Sequence, residues 1–475
     1  MTTVSLPWDR AAGLMLATAA GDALGAGYEF GPPLPTDTQV QMKGGNGFNW
    51  APGEWTDDTS MAVPILQMVA AGRDLRDEEV LDEIVGKWLD WARDAKDVGV
   101  QIQQVFGRME ARSASAARVA AGQVHESHGR SAGNGSLMRT APVVLGYLDD
   151  PAALADAARA VSDLTHYETD AGDACVLWCL AMRHAVLTAG LDVRVGLDAL
   201  PAQRRDRWAA LITEAEERQP ADFERNGWVV QALQGAWSAI VHRPATDASH
   251  LRLALEAAVR GGRDTDTVAA IAGGLLGARW GASAVPAEWR RLVHGWPGLR
   301  GGDLVRLALH AIDPQHAADA ERMDYAGWGD LSALVRHPFD DRVWLGAVGA
   351  LDKLPPEVDA VVSLCRVGTA QVPAAIAASN RVEVWLIDQD DPAQNPNLDH
   401  VLLDAADAIA ALRAEGRTVL LHCVQAQSRT PSVAALYAAR HLGVPVKEAF
   451  DAVVAALPNA HPKRFLREAV LRLGE

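Results

Sequence analysis

Three acidic clusters, far apart in the chain, carry the residue types from which a divalent-cation site is built. They are Gly21-Asp22-Ala23-Leu24-Gly25 with Glu29 beyond it, Trp55-Thr56-Asp57-Asp58-Thr59, and Gly262-Arg263-Asp264-Thr265-Asp266-Thr267. Adjacent carboxylates repel one another, and hard cations that prefer oxygen ligands relieve the repulsion. Thr56, Asp57, Asp58, Asp264, Asp266 and Thr267 together offer four carboxylates and two hydroxyls, enough for a binuclear oxygen-ligand site. The competing use of the Asp/Thr clusters is helix capping, because each precedes an apolar helical run. A different chemistry is written at Cys423-Val424-Gln425-Ala426-Gln427-Ser428-Arg429-Thr430, which follows the apolar run Val419–Leu421 and precedes a helical run opening at Pro431. In a Cys-x5-Arg-Thr loop between a strand and a helix, backbone N–H groups face one centre. The helix N-terminus adds positive potential, and Arg429 supplies a bidentate fork for phosphate. The same field favours a Cys423 thiolate as nucleophile, with Thr430 placed to hydrogen-bond it and Ser428 beside it as a substrate contact.

The elements that must position these residues divide the chain in two. The first two-thirds is patterned as helices, among them Thr59–Ala71, Glu79–Ala95, Leu154–Thr165, Asp170–Ala189, Trp228–Val241 and Leu251–Gly261. Each has apolar residues at helical spacing, with Gly or Pro between segments. After about Asp313 the pattern changes. Pro314–Ala333 lacks an apolar stripe and reads as a connection. Strand-like runs at Arg342–Ala347, Ala360–Leu364, Val382–Ile387 and Thr418–His422 then alternate with helical runs. The helical runs are Pro373–Ala378, His400–Glu415, Pro431–Leu442, Val446–Leu457 and Arg464–Leu473. That alternation predicts a mostly parallel, helix-covered sheet. The expected organisation is therefore an all-α domain over 1–318, a linker over 319–334 and an α/β domain over 335–475.

Composition narrows the partners. The chain has 475 residues, 49% hydrophobic and 22% charged, with 44 Lys+Arg against 61 Asp+Glu for a net −17. Such an acidic balance argues against nucleic acid or an anionic membrane as main partner. The 4 cysteines (Cys175, Cys179, Cys365, Cys423) lack zinc-site spacing and are too few for a disulfide scaffold, so a reducing compartment fits. The run Ala11–Gly21 is too short to span a bilayer and has no basic flank, which makes the cytoplasm the expected location.

The helical part resembles the ADP-ribosylglycohydrolase family, which includes the dinitrogenase-reductase-activating enzymes. The matching segments are GDALGAGYEF, PGEWTDDTS, GNGSLMRTAPV, the Thr165-His166 pair, NGWVVQAL and GGRDTDTVAAIAGGLLGA, in family order over roughly residues 8–312. The resemblance implies a helical fold around a cleft holding two Mg2+ ions, with Mn2+ the alternative. Thr56, Asp57, Asp58, Asp264, Asp266 and Thr267 would be the ligands, Asp22 their support, and Glu29 a mobile acid at the cleft. It further implies that the Gly133-Asn134-Gly135-Ser136 turn and His166 contact the substrate, an ADP-ribosylated protein or small molecule. Cleavage of an ADP-ribosyl bond builds positive charge at the anomeric carbon, which metals and carboxylates can offset. The base stays open among Glu29, Asp57 and Asp58, and so does the linkage cleaved.

From Arg342 (RVWLGAVGAL, then VDAVVSLCRVG) to its end, the chain resembles the dual-specificity, cysteine-based phosphatases. The resemblance implies phosphoester hydrolysis of a phosphorylated substrate through Cys423 and Arg429. A general acid is expected on the Asp388-Gln389-Asp390-Asp391 loop, Asp391 first by spacing and Asp388 second. Ala426 departs from the pattern, which has glycine there, and a Cβ is strained where the loop needs positive φ. Two readings follow. In the first the protein is a bifunctional hydrolase; in the second the C-terminal domain is a phosphate-binding module that recruits substrate to the glycohydrolase. Cys365, at the end of a neighbouring strand, is a further candidate to pair reversibly with Cys423.

Overall fold

The computed structural model describes residues 7–315 and 320–475. They fall into two compact units, Met1–Val285 with Leu292–Ala318, and Pro286–Arg291 with Asp319–Glu475. The boundary expected between 318 and 319 lies outside the described residues.

The first unit is helical apart from a two-residue antiparallel ribbon, β1 (His294–Gly295) with β2 (Leu299–Arg300). Its centre is a pair of helices, Trp8–Gly25 and Thr265–Trp280, each apolar almost all round and buried almost throughout. Small residues let their backbones touch. A Cβ at Gly21 would lie 2.2 Å from Ala269 O, and one at Gly277 would lie 2.1 Å from Gly13 O. The same seam sets Gly25 against Asp266, where a Cβ would stand 2.4 Å from Asp266 Cα. Glycine is thus required for close approach, and the approach brings the first and third acidic clusters together.

The second cluster arrives at the start of the helix Asp57–Ala70, and its N-terminus is not capped by its own residues. Asp22 reaches across instead, accepting from Thr56 N at 2.8 Å, Thr59 N at 2.9 Å and Thr59 Oγ1 at 2.6 Å. Asp264 precedes the helix Thr265–Trp280 and makes no capping hydrogen bond either. Helix capping therefore does not account for the carboxylates of Asp57, Asp58, Asp264 and Asp266.

The second unit holds a five-stranded sheet in the order β3 (Leu334–His337), β4 (Asp340–Ala347), β7 (Val419–Cys423), β5 (Ala360–Ser363), β6 (Arg381–Glu383). Only the β3–β4 pair is antiparallel. β7 is buried along its whole length, as a central parallel strand must be. The helices Leu398–Ala414, Arg429–His441, Val446–Ala456 and Arg464–Leu473 belong to this unit. Ala347 stands opposite Cys423, and Ser363 opposite His422, so the strand ends converge beside the Cys423 loop.

Several local expectations need correction. Pro373–Ala378 is not an α-helix: it folds as turns up to a short 3-10 helix, Ala378–Asn380, with Ile376 N donating to Pro373 O and Arg381 donating to the carbonyls of Pro373 and Ile376. Six residues headed by proline are too few to repay helix nucleation. β6 ends at Glu383 rather than Ile387. The expected linker ends in β3, and its described residues before β3 are laid against the second unit. There Gly349 N donates to Leu331 O and Ala347 N to Ala333 O. Tyr325 and Leu331 pack on the cluster around Val348 and Val361. No helix among the described residues is long and apolar enough to cross a membrane.

Candidate active site

The acidic clusters meet at the base of a cavity of about 850 Å3 in the first unit, within the range of small-molecule sites. Glu29, Asp57, Asp264, Asp266 and Thr267 line it, and Gly133, Gly135 and His166 form part of its wall. Two carboxylate groups can be drawn with their oxygens within 4.8 Å of one another: Asp22, Asp58 and Asp266, and Glu29, Asp264 and Asp266. Asp266 is common to both. Thr56 Oγ1 donates to Asp58 Oδ2 at 3.0 Å, and Thr267 Oγ1 to the same oxygen at 3.4 Å. Asp58 Oδ1 and Asp266 Oδ1 are buried and have no hydrogen-bond partner among the described residues. An unpartnered buried carboxylate oxygen is costly unless a cation completes it, so this donor set fits hard divalent ions.

Electrostatics points the same way. Burial, then the charges of Asp264, Asp57 and Asp97, push Glu29 up to about 9. Burial, then Asp97, Asp22 and Asp264, raise Asp57 to about 8. Asp58 and Asp266 are held well above the ordinary carboxylate range, first by burial and then by their acidic neighbours. Asp22 rises less, to about 6, because burial is opposed by its hydrogen bonds from Thr59 and Thr56. Without positive charge this cleft holds protons.

The loops around the cleft are tied together. Phe30 N donates to Arg263 O at 2.6 Å and Arg263 N to Gly31 O at 2.7 Å, which pins the Glu29 loop beside Asp264. Asn46 Nδ2 donates to Glu29 Oε2 at 3.4 Å and to Ala26 O at 2.8 Å.

Of the expected substrate contacts, Gly135 and His166 reach the cavity wall with their neighbours. Asn134 lines the cavity, but its amide is engaged elsewhere: Nδ2 donates to Asp264 Oδ2 at 2.8 Å and to Asn226 O at 2.9 Å. It orients a carboxylate. Ser136 is buried behind the turn, its hydroxyl 3.6 Å from Cys175 Sγ. Residues not singled out from the sequence also matter. Asp97 lines the cavity, and its charge raises Glu29 and Asp57. Asn226 holds the third cluster, accepting from Asp264 N at 3.2 Å and donating to Gly262 O at 3.0 Å. Asn226 lay in a matching segment, NGWVVQAL, whereas Asp97 had no local signal.

In the second unit, Cys423 ends β7 and the loop turns through Ala426, which is buried at φ 58°. That is the left-handed region, so the strain expected of a Cβ is present. Arg429 Nη1 donates to Leu364 O at 2.5 Å and Leu386 O at 3.1 Å. Thr430 Oγ1 points to Gly346 O at 3.5 Å rather than to the thiol. Ser428 Oγ donates to Asp388 Oδ1 at 2.9 Å and accepts from Lys463 N at 3.2 Å. Of the two expected acids, Asp388 is the one hydrogen-bonded to the Cys423 loop. The Asp391 carboxylate is taken up in a local turn, accepting from Ala393 N and Gln394 Nε2. Cys365 and Cys423 are free thiols, and burial, then Cys423, pushes Cys365 up to about 12.

The fold and the cleft define a class: a helical protein with crowded, buried carboxylates at the base of a ligand-sized cavity. The chain belongs to the ADP-ribosylglycohydrolase family, whose model matches residues 3–321. It is 31% identical over 293 residues to the ADP-ribosylarginine hydrolase Tri1 of Pseudomonas putida (strain GB-1), covering 59% of this chain and 73% of that protein. It is 29% identical to the ADP-ribosyl-[dinitrogen reductase] glycohydrolase of Rhodospirillum rubrum, covering 59% of this chain and 89% of that one. Among solved structures, an ADP-ribosylglycohydrolase-related protein complex matches 65% of this chain and 98% of its own, at 28% identity and a TM-score of 0.48. Human DUSP28 matches 30% of this chain and 92% of its own, at 23% identity and a TM-score of 0.26.

Proposed function

We propose that the helical unit hydrolyses the bond between ADP-ribose and an arginine side chain of a modified protein, with two Mg2+ ions in the cleft and Mn2+ as the alternative. The observation that carries this is the pair of carboxylate groups sharing Asp266, with Asp58 Oδ1 and Asp266 Oδ1 unpartnered. The arginine linkage is supported by the Pseudomonas putida relative, an ADP-ribosylarginine hydrolase. Thr56, Asp57, Asp58, Asp264, Asp266 and Thr267 would hold the ions. Such ions would supply Lewis acidity toward the ribose hydroxyls and would lower the pKa of a water in the cleft. Asp22 keeps the Asp57–Ala70 helix end in place, and Asn134 keeps Asp264 turned to the cleft. Glu29, half-buried at the wall and held by Asn46, is the group placed to exchange a proton with the attacking water or the leaving guanidine. The test is release of ADP-ribose from an ADP-ribosylarginine peptide in Mg2+ and in EDTA, with Asp266→Asn and Glu29→Gln. Full turnover of either variant, or of the wild type in EDTA, refutes the assignment.

For the second unit, cysteine-dependent phosphoester hydrolysis is the first reading, with Cys423 as nucleophile, Arg429 as phosphate fork and Asp388 as acid. The Ala426 strain and the engagement of Arg429 by two carbonyls favour a second, a loop that binds phosphate without turnover. Hydrolysis of an aryl phosphate by wild type, lost in Cys423→Ser, decides for the first.

A further inference from the structure

His166 is 1% exposed yet forms part of the cavity wall. Its Nε2 lies over the glycine turn: a Cβ built on Gly133 would be 3.4 Å from it, and one on Gly135 3.5 Å. Among the described residues Nε2 has no hydrogen-bond partner. The other ring nitrogen, Nδ1, is 2.8 Å from Thr165 Oγ1. That hydroxyl is in turn 2.7 Å from Arg139 Nη2. Arg139 is fully buried, its guanidinium 4.1 Å over the Trp88 ring, with Nη2 also donating to Val161 O at 3.2 Å.

The direction of this chain follows from its chemistry. A guanidinium has donors only, so Thr165 Oγ1 accepts from Arg139. The hydroxyl has one proton, and among the described residues its other neighbour is His166 Nδ1. Thr165 therefore donates to Nδ1, which carries a lone pair, and the proton of the neutral ring sits on Nε2. Burial, then the Arg139 charge, hold His166 well below the usual imidazole range, so the ring stays neutral.

We infer that Arg139 and Thr165 are positioning residues that fix His166 as a neutral Nε2–H donor for an oxygen acceptor of the bound ADP-ribosyl group at the Gly133–Gly135 turn. This rests on the reading of the cavity as an ADP-ribose site. It also removes His166 as a base, because its cavity-facing nitrogen already carries a proton. A neutral donor adds no positive charge to a cleft built for cations.

Imidazole nitrogen NMR on the full, ligand-free chain tests the relay independently of any ligand. Nε2 is expected to carry the proton and Nδ1 not, unchanged between about pH 5 and pH 8. Thr165→Val, nearly isosteric without the hydroxyl, should mix or invert the tautomers, and Thr165→Ser should restore them. ADP-ribose, titrated calorimetrically in Mg2+, should bind about tenfold more weakly to Thr165→Val and to His166→Ala. His166→Gln, with an amide N–H near the Nε2 position, should recover part of the loss. A loss seen equally with ADP assigns the acceptor to the diphosphate; a loss confined to ADP-ribose assigns it to the terminal ribose. A wild-type Nδ1–H tautomer overturns the relay, as does a Thr165→Val protein of unchanged thermal midpoint, ADP-ribose affinity and tautomer. The expected tautomer in a wild type that binds no ADP-ribose overturns the ligand assignment and the reading of the cavity, and leaves the relay standing.

Discussion

Loading the cleft with Mg2+ should expel protons, and withholding it should make the protein weaker as the pH rises. In the metal-free protein Glu29 and Asp57 titrate at about 9 and about 8, whereas unfolded carboxyls titrate at about 4. Between those limits the native state holds protons that the unfolded chain has lost. Stability is therefore fully present below about pH 4 and declines as the pH rises through about 8 to 9. For Asp57 alone the displacement from 3.8 to about 8 corresponds to about 6 kcal/mol at most, a large share of a typical folding free energy. At neutral pH Asp57 is protonated, and Asp58 and Asp266 are held well above the ordinary carboxylate range, so cation binding should release at least one proton per chain. With Mg2+ at about a hundred times its dissociation constant, the stabilisation is about 2.7 kcal/mol, a rise of roughly 5–10 °C in midpoint. The assay is differential scanning calorimetry in EDTA and in Mg2+ across pH, with isothermal titration in two buffers of different ionisation heat. Binding heats that do not depend on the buffer, together with a metal-free midpoint that rises from mildly acid to mildly alkaline pH, would rule out protonated carboxyls in the empty cleft.

Asp266→Asn removes the carboxylate common to both groups. It should raise the midpoint in EDTA at neutral pH, because the amide removes the cost of keeping a buried carboxyl protonated, erase the Mg2+ shift and abolish ADP-ribose release. Gly21→Ala forces a Cβ to within 2.2 Å of Ala269 O; the expected loss is about 1–3 kcal/mol in urea unfolding, with weaker Mg2+ binding because Asp22 shifts with the helix. Ala426→Gly relieves a φ of 58° and should stabilise the second unit by about 1 kcal/mol, with aryl phosphate turnover raised. Cys423→Ser should abolish that turnover and leave ADP-ribosyl hydrolysis unchanged.

The chemistry was legible in the sequence wherever it is local. Paired carboxylates at Asp57-Asp58 and Asp264-Thr265-Asp266, and the Cys423 to Arg429 spacing, are set by the chain itself. So are the six helices expected in the first unit, whose observed limits differ from the expected ones by a few residues, because apolar periodicity is a property of consecutive residues; the central pair, Trp8–Gly25 and Thr265–Trp280, had no expected limits. What the tertiary structure alone decided is where side chains point once distant segments meet. Asp22 caps a helix that begins far along the chain, at Asp57, and a glycine seam sets the Asp22 helix against the one that carries Asp266. Asn134, expected at the substrate, lines the cavity and also holds Asp264, since the turn that carries it packs against Asn226. Asp388 rather than Asp391 faces the Cys423 loop, because Asp391 is consumed by its own turn. Pro373–Ala378 had helix-forming residues but too few to nucleate, and β3 had little pattern of its own until β4 offered it a partner. Periodicity and spacing are local quantities, whereas the direction of a buried carboxylate or imidazole is set by which hydrogen-bond partner packing leaves within reach.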